Sequence, residues 1–306
     1  MDLLGKTVDY RFRDRIAQVR GVFKEKIKKL QDDQLVYQQD VDKTMTNDFW
    51  VEKFLEWNKG YVNKTADNIV FSCKYIKKYR LRDLKMSDFA SEIISSGSVF
   101  EYEPDVLGRK TLYFRMKYAP ACKETREITK QLFSYIHFKM EEESGEKGYV
   151  CINDFAGGSI SNVDMKLAFS SIEVTEVFPH SCVVFIAVNV PFFLKGAVKS
   201  VMYMLPGDQM KGIYVLNQDQ LPQVIPVENL PDFLGGTSKR PYSGNELVPE
   251  GCVTLKEQFD KLLTDESNQE DDKFVIRSES AVMFPEKTDK NTASRVEKYY
   301  HDLFSQ

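Results

Sequence analysis

The chain has 306 residues, 42 Lys+Arg against 46 Asp+Glu for a net charge of −4, and is 42% hydrophobic. That length suits two domains of about 150 residues, or one large α/β domain with a helical appendage. The apolar content excludes disorder throughout, and the near balance of charge gives no nucleic-acid signal, because such proteins carry a basic excess.

Residues 1 to about 95 read as helices. Phe12, Ile16, Val19, Phe23, Ile27 and Leu30 recur at steps of three and four, one stripe of an α-helix. Residues 11–30 also hold eight Lys/Arg against two acids. Such a helix either packs its stripe on neighbours with its charges solvated, or lies on an anionic membrane. Asn47 or Asp48 can cap a helix running to Trp57, with Gly60 marking its end. A further helix spans roughly 63–79, with Ala66, Ile69, Val70, Cys73 and Ile76 inward.

From about 96 to 236 the pattern changes to alternating strands and helices. Val99 to Glu103 and Thr111 to Tyr118 read as a hairpin around the turn residues Asp105 to Arg109. A helical period runs from Glu124 to Met140, and residues 141–148 read as a polar loop. Tyr149 to Ile152, Cys182 to Val188 and Gly212 to Leu216 are nearly continuous apolar runs, typical of strands buried on both faces of a parallel sheet. Helices are expected near 162–177 and 192–205. The series predicts an α/β fold with a mostly parallel sheet flanked by helices. After Gly236 the signal is weak: residues 261–272 hold five acids and one Lys, and the expected tail is acidic and weakly structured, with a short helix at 293–304.

The segment from Pro191 to Leu205 stands apart. Pro suits a first helical turn, Lys195, Lys199 and Tyr203 form a thin polar stripe, and nearly every other position is apolar. A helix apolar on two sides is either buried on both, or covers an apolar cavity while also meeting a membrane. The most apolar stretch, Cys182 to Leu194, has thirteen residues and is broken by Asn189 and Pro191; a spanning helix needs about 20. The N-terminus lacks the layout of a secretory signal. The five scattered cysteines contain no C-x-x-C pair, arguing against a disulfide framework or zinc site and for a reducing, cytoplasmic setting.

Catalytic constellations are scarce. No G-x-S-x-G, phosphate loop, G-x-G-x-x-G or H-E-x-x-H occurs. Of the three histidines, His137 sits mid-helix among apolar neighbours and reads as structural. The expectation is no enzyme, no cofactor and no metal.

Several segments, in order along the chain, resemble the CRAL-TRIO lipid-binding domain family of the yeast phosphatidylinositol/phosphatidylcholine transfer type. They are Asp105-x-x-Gly108-Arg109, then Asp154 to Ser159 as D-x-x-G-x-S, Phe178-Pro179 for Tyr-Pro, and Val188-Asn189-Val190-Pro191 for I-N-x-P. Most specific is Ile225-Pro226-Val227-Glu228-Asn229-Leu230-Pro231 followed by Leu234-Gly235-Gly236. Within the family, Asp48 to Trp57 and Arg115 to Tyr118 look closest to the lipid-binding module of the motile sperm domain-containing proteins. The resemblance spans roughly residues 10–240 and implies a helical N-terminal region (1–95), a lipid-binding domain (96–240) and a tail (241–306).

What the resemblance implies is a monomeric, cytoplasmic carrier that binds a lipid or other small hydrophobic ligand and touches membrane surfaces transiently, with no nucleic-acid partner. The helix after Pro191 would be the gate, with Phe192, Phe193, Val198, Val201, Met202 and Met204 against acyl chain or bilayer, and Lys195 and Lys199 at the membrane. In the family's headgroup sites a Glu follows Tyr-Pro and a Lys lies downstream; the matching positions are His180 and Lys211, with Asp208 where a Thr accompanies the Lys. Small hydroxyls on the strand before Asp154 are replaced by Tyr149 and Cys151. The headgroup therefore stays open, retinoid or tocopherol carriage included. Two other readings remain: a membrane-recruitment module that exchanges no lipid, and a small ester hydrolase using Ser159 or Ser161 with His180.

Overall fold

The computed structural model describes residues 8–30, 35–118, 126–159, 165–196, 198, 199 and 212–258. The first third of the chain is a helical cap of α1 (Ile16–Lys28), α2 (Gln38–Thr46), α3 (Asp48–Trp57), α4 (Val62–Lys78) and the short α5 (Ser91–Ser95). The periodic stripe of α1 is its buried face: Ile16, Val19 and Phe23 are inside, with Phe12 and Ile27 packed at the margin. Asn47 caps α3 by accepting from the Trp50 N–H at 2.9 Å, leaving one fewer unsatisfied donor in the first turn. Gly60 takes the left-handed φ of +77° that ends the turn after α3, and a Cβ there would lie 2.6 Å from the Phe12 ring. Helix α2 is an element that the sequence expectations do not include.

A five-stranded sheet follows, in spatial order β1 (Val99–Tyr102), β2 (Lys110–Arg115), β3 (Tyr149–Asp154), β4 (Cys182–Val188), β5 (Ile213–Leu216). Only the β1–β2 hairpin is antiparallel. In its turn the Asp105 carboxylate accepts from the Leu107 and Arg109 N–H groups and pairs with the Arg109 guanidinium at 2.6 Å, while Gly108 adopts φ +70°. Helix α6 (Arg126–Ser144) connects β2 to β3 and α7 (Met165–Val177) connects β3 to β4. The observed fold is thus the expected α/β sheet with a helical cap.

Alternation sends successive side chains to opposite faces of the sheet. The inner face packs against α4, α6, α7 and the cap; the outer face packs beneath a strap, residues 218–242. The strap is pinned by backbone and side-chain bonds: Val106 N–H to Val224 O at 2.9 Å, Asn229 Nδ2 to Pro104 O at 2.7 Å, and Tyr102 OH to Arg240 O at 2.6 Å. The two terminal glycines of its motif are required. Gly235 has φ +79°, and a Cβ on Gly236 would fall 1.9 Å from the Leu230 carbonyl oxygen.

Two expectations change. Residues 141–144 are helical, extending α6 to Ser144. Residues 241–258 belong to the folded body: Ser91 N–H reaches Val253 O at 2.9 Å, Ala90 N–H reaches Gln258 Oε1 at 3.0 Å, and Leu255 is buried. The acidic run and the expected helix at 293–304 lie outside the described residues.

Candidate functional site

The inner face of the sheet presents two cross-strand rows. Leu112, Cys151, Phe185 and Ile213 form one, and Phe114, Asn153, Ala187 and Val215 the next, fixed by the register of the parallel strands. Leu112 and Cys151 are fully buried, whereas Phe114, Phe185 and Ile213 are half-buried and Val215 is exposed. In the first row exposure grows from β2 towards β5; in the second it lies at the two ends, Phe114 and Val215, with Asn153 and Ala187 buried between them. Across this apolar floor lies α6, whose Phe133 and His137 rings sit 5.2 and 5.8 Å from the Phe114 ring.

The amino-terminal end of this floor is closed. Tyr149, the first residue of β3, is buried and shares a hydrogen bond with His137 Nδ1. Burial lowers the His137 pKa to about 3 and raises those of the Tyr149 hydroxyl and the Cys151 thiol, so all three are uncharged near neutrality. Behind them a charged staple joins cap to sheet. Lys53 of α3 is fully buried, with Nζ 2.5 Å from Glu141 Oε1 of α6 and 3.2 Å from Ser181 Oγ, whose hydroxyl donates to Glu141 Oε2. Burial lowers the Lys53 pKa to about 8 against the opposing pull of Glu141; burial raises that of Glu141, but Lys53 and Lys43 outweigh it and leave the carboxyl below its usual range. Lys43, Glu142, Arg82 and Asp40 extend the pairing outward. A cleft of about 420 Å³ opens there, and none of its lining residues belongs to the sheet.

At the carboxyl ends of the strands the chain turns into the candidate gate. Asp154, buried at the end of β3, accepts from Ala156 N–H at 3.1 Å and from Asn189 Nδ2 at 2.9 Å. Asn189 holds the left-handed φ of +56°, a conformation Asn tolerates better than most residues. The chain then passes Pro191 into a helical turn, Phe192–Leu194. Leu194 is 4% exposed and its Cδ1 would lie 3.9 Å from a Cβ on Gly158, whereas Phe192 is 88% and Phe193 56% exposed. One residue anchors this turn to the 155–159 loop while two adjacent phenyl rings face solvent.

The residues expected at a ligand fall into three groups. Tyr149 and Cys151 line the closed end of the inner face. Phe192, Phe193, Lys195, Val198 and Lys199 follow the opposite end of β4, with Val198 half-buried and both lysines exposed. Val201, Met202, Met204 and Lys211 lie outside the described residues. His180 sits before β4 at the amino-terminal end, with φ +56° and its ring centroid 6.1 Å from that of Trp57. It is separated from Phe192 by the length of β4, seven residues or about 23 Å. Among the described residues, the gate turn Phe192–Leu194 and His180 lie at opposite ends of β4.

The same geometry tells against the hydrolase. Ser159 follows the carboxyl end of β3, while His180 precedes the amino end of its parallel neighbour β4, so the pair stands at opposite ends of the sheet. Ser161 lies outside the described residues. The basic α1 region is also largely countered from within. Arg13 and Arg20 pair with Asp48, Lys26 with Asp67 and Lys28 with Glu25, while Arg15 donates to Gly60 O. Those pairings favour a packed helix over one lying on a membrane.

Sequence reasoning missed Glu141 and Lys53, because a charged residue is expected outside unless its partner is known. Among the described residues no cluster of His, Cys, Asp and Glu could hold a metal ion, and no helix is long and apolar enough to cross a membrane. Compared with known proteins, residues 94–236 match the family model described as the CRAL/TRIO domain. The fold is similar to the crystal structure of Sfh5, with a TM-score of 0.57 at 15% identity, covering 84% of this chain and 96% of that one.

Proposed function

The chain carries a CRAL/TRIO domain at residues 94–236, and on that premise we propose that its inner sheet face is the floor of a cavity for one hydrophobic ligand, a phospholipid, which is transferred or presented at membranes. A lipid-binding role follows from the family match. The observation that carries the proposal is the group of half-open residues Phe114, Phe185, Ile213 and Val215, drawn from both rows of the inner face. In an interior packed to crystal density such rings are normally covered.

The energetics suit a carrier. Each methylene is worth about 0.8 kcal/mol out of water, so exposing a long acyl chain costs on the order of 10 kcal/mol and unaided exchange is slow. An apolar floor lowers that cost without making or breaking a bond. Tyr149, Cys151 and the half-buried phenyl rings would contact the chain. Phe192 and Phe193, with Val198, Val201, Met202 and Met204, would touch chain or bilayer. Lys195 and Lys199 favour anionic surfaces, at about 1 kcal/mol each near the membrane. Lys211 remains a candidate for a phosphate, and His180 for a group at the far end.

Solvent extraction of the purified protein followed by mass spectrometry should find a co-purifying lipid, and the protein should move labelled lipid between vesicles. An empty protein that moves none would refute the carrier reading. Phe185→Trp fills the half-open floor: with urea unfolding unchanged, lost transfer and retained vesicle binding support the cavity, whereas unchanged transfer excludes it. The recruitment module predicts binding without transfer in the unmodified chain.

A further inference from the structure

Among the described residues, one buried cation on the outer face has no carboxylate at ion-pair distance, and Asp232 acts on it only from farther off. Arg115 ends β2 and is 7% exposed. Its guanidinium lies 4.4 Å from the Phe233 ring centroid, 4.6 Å from Tyr118 and 5.3 Å from Tyr242. Those ring faces attract a cation but accept no strong hydrogen bond. Among the described residues no carboxylate pairs with the guanidinium, and its Nε is buried without a partner. Asp232, the acid beside this cage, is held by the Tyr242 hydroxyl at 2.7 Å. A buried guanidinium normally keeps a carboxylate, to which its planar fork is matched.

The fitting acceptor is one strand away. Arg115 and Asp154 are register partners in the parallel β2–β3 pair and point to the same face, on strands about 4.8 Å apart. Yet the Asp154 carboxylate is turned to Asn189 and to its own loop. Asn189 is the strained, left-handed residue from which the chain enters Phe192–Leu194. If that segment moves away, Asp154 would be left a buried carboxylate short of a donor, a state avoided unless a new partner is at hand.

We propose that Arg115 is that partner, so that Asp154 alternates between two donors. Asn189 holds it while the segment leading into Phe192 is docked, and Arg115 takes it when the segment leaves. Arg115 is then a positioning residue: it touches no ligand and sets how readily the segment departs. The idea rests on reading that segment as the start of a gate, and it adds a bistable element to it. Two packings that exchange one carboxylate give discrete docked and released states rather than a continuum.

The test uses the full chain and two readouts: hydrogen–deuterium exchange at residues 189–196, and transfer of fluorescent phosphatidylcholine between phosphatidylcholine vesicles. Asn189→Ala should accelerate amide exchange there. Arg115→Met should slow it by about fivefold, the lower range of such couplings, and the double variant should return towards the wild-type rate. Arg115→Gln keeps a planar group between the rings and should slow exchange too, which decides the matter if Arg115→Met unfolds. If Arg115 only clamps the strap, both Arg115 variants leave or raise the exchange rate at 189–196, and the proposal fails. If amide exchange responds as expected while the wild-type chain moves no lipid, the carrier reading fails and the partner exchange stands.

Discussion

The two faces of the sheet are built from the same strands and finished differently. On the outer face Phe100 stacks on Tyr113 and Tyr242 at 5.2 and 5.0 Å, and Val150, Ile152, Val184 and Ile186 are fully buried beneath Leu221, Ile225 and Leu230 of the strap. On the inner face the floor is sealed at the Tyr149 end and half-open towards β5. Sequence alternation supplies apolar residues to both faces alike; what differs is the segment that covers each. A sealed face gives stability, and a half-open one is free to take a ligand.

The largest expected effect comes from the closed end of the inner face. Lys53→Met leaves Glu141 buried without its partner and should cost about 3–5 kcal/mol, read from urea unfolding. Adding Glu141→Leu should recover much of that loss; no recovery would mean that the pair is not the staple joining cap to sheet. On the sealed face, Gly236→Ala places a methyl group on the Leu230 carbonyl and should cost about 2–4 kcal/mol. A neutral result would show that the strap shifts freely and that the outer face is not sealed.

A smaller effect is set by pH. Burial depresses the His137 pKa to about 3, below the unfolded value near 6.5. The unfolded chain therefore binds the extra proton first, and stability contributed by neutral His137 is present above about pH 6.5 and declines as pH falls towards 3, by about 1.4 kcal/mol per pH unit well inside that window. Melting curves from pH 7 to 5 should show the decline, and His137→Gln should flatten it. If the slope survives in the variant, another group sets it. The smallest stability effect belongs to the exposed rings: Phe192→Ser with Phe193→Ser should change unfolding by less than about 0.5 kcal/mol while weakening sedimentation with anionic vesicles. Vesicle binding that is unchanged would remove these rings from the membrane reading.

Much of this molecule was legible in its sequence. The continuous apolar runs became β3, β4 and β5, the Asn47 cap and the α1 stripe fell where the spacing put them, and the Gly235-Gly236 ending matches a turn that only glycines can make. What stayed hidden was long-range and polar. Glu141 opens a run of three consecutive acids, with Glu142 and Glu143, at the start of what reads as a loop. It is helical and buried because Lys53, 88 residues earlier, lies at its carboxylate. His180, expected at a headgroup, and Phe192, expected at an acyl chain or bilayer, stand a full strand length apart along β4.

The sequence by itself determined the local choices: which stretches are strands, where helices begin, which turns need glycine. Those depend on periodicity and on backbone preference within a few residues. Tertiary structure decided which charges could be buried, which of two apolar faces stayed half-open, and that Asp154 accepts from Asn189 with Arg115 as its register partner on the next strand. The cost of burying a charge, and the cover over an apolar face, depend on neighbours from distant parts of the chain. Composition therefore does not distinguish apolar surface that stabilises the fold from apolar surface left free for a ligand.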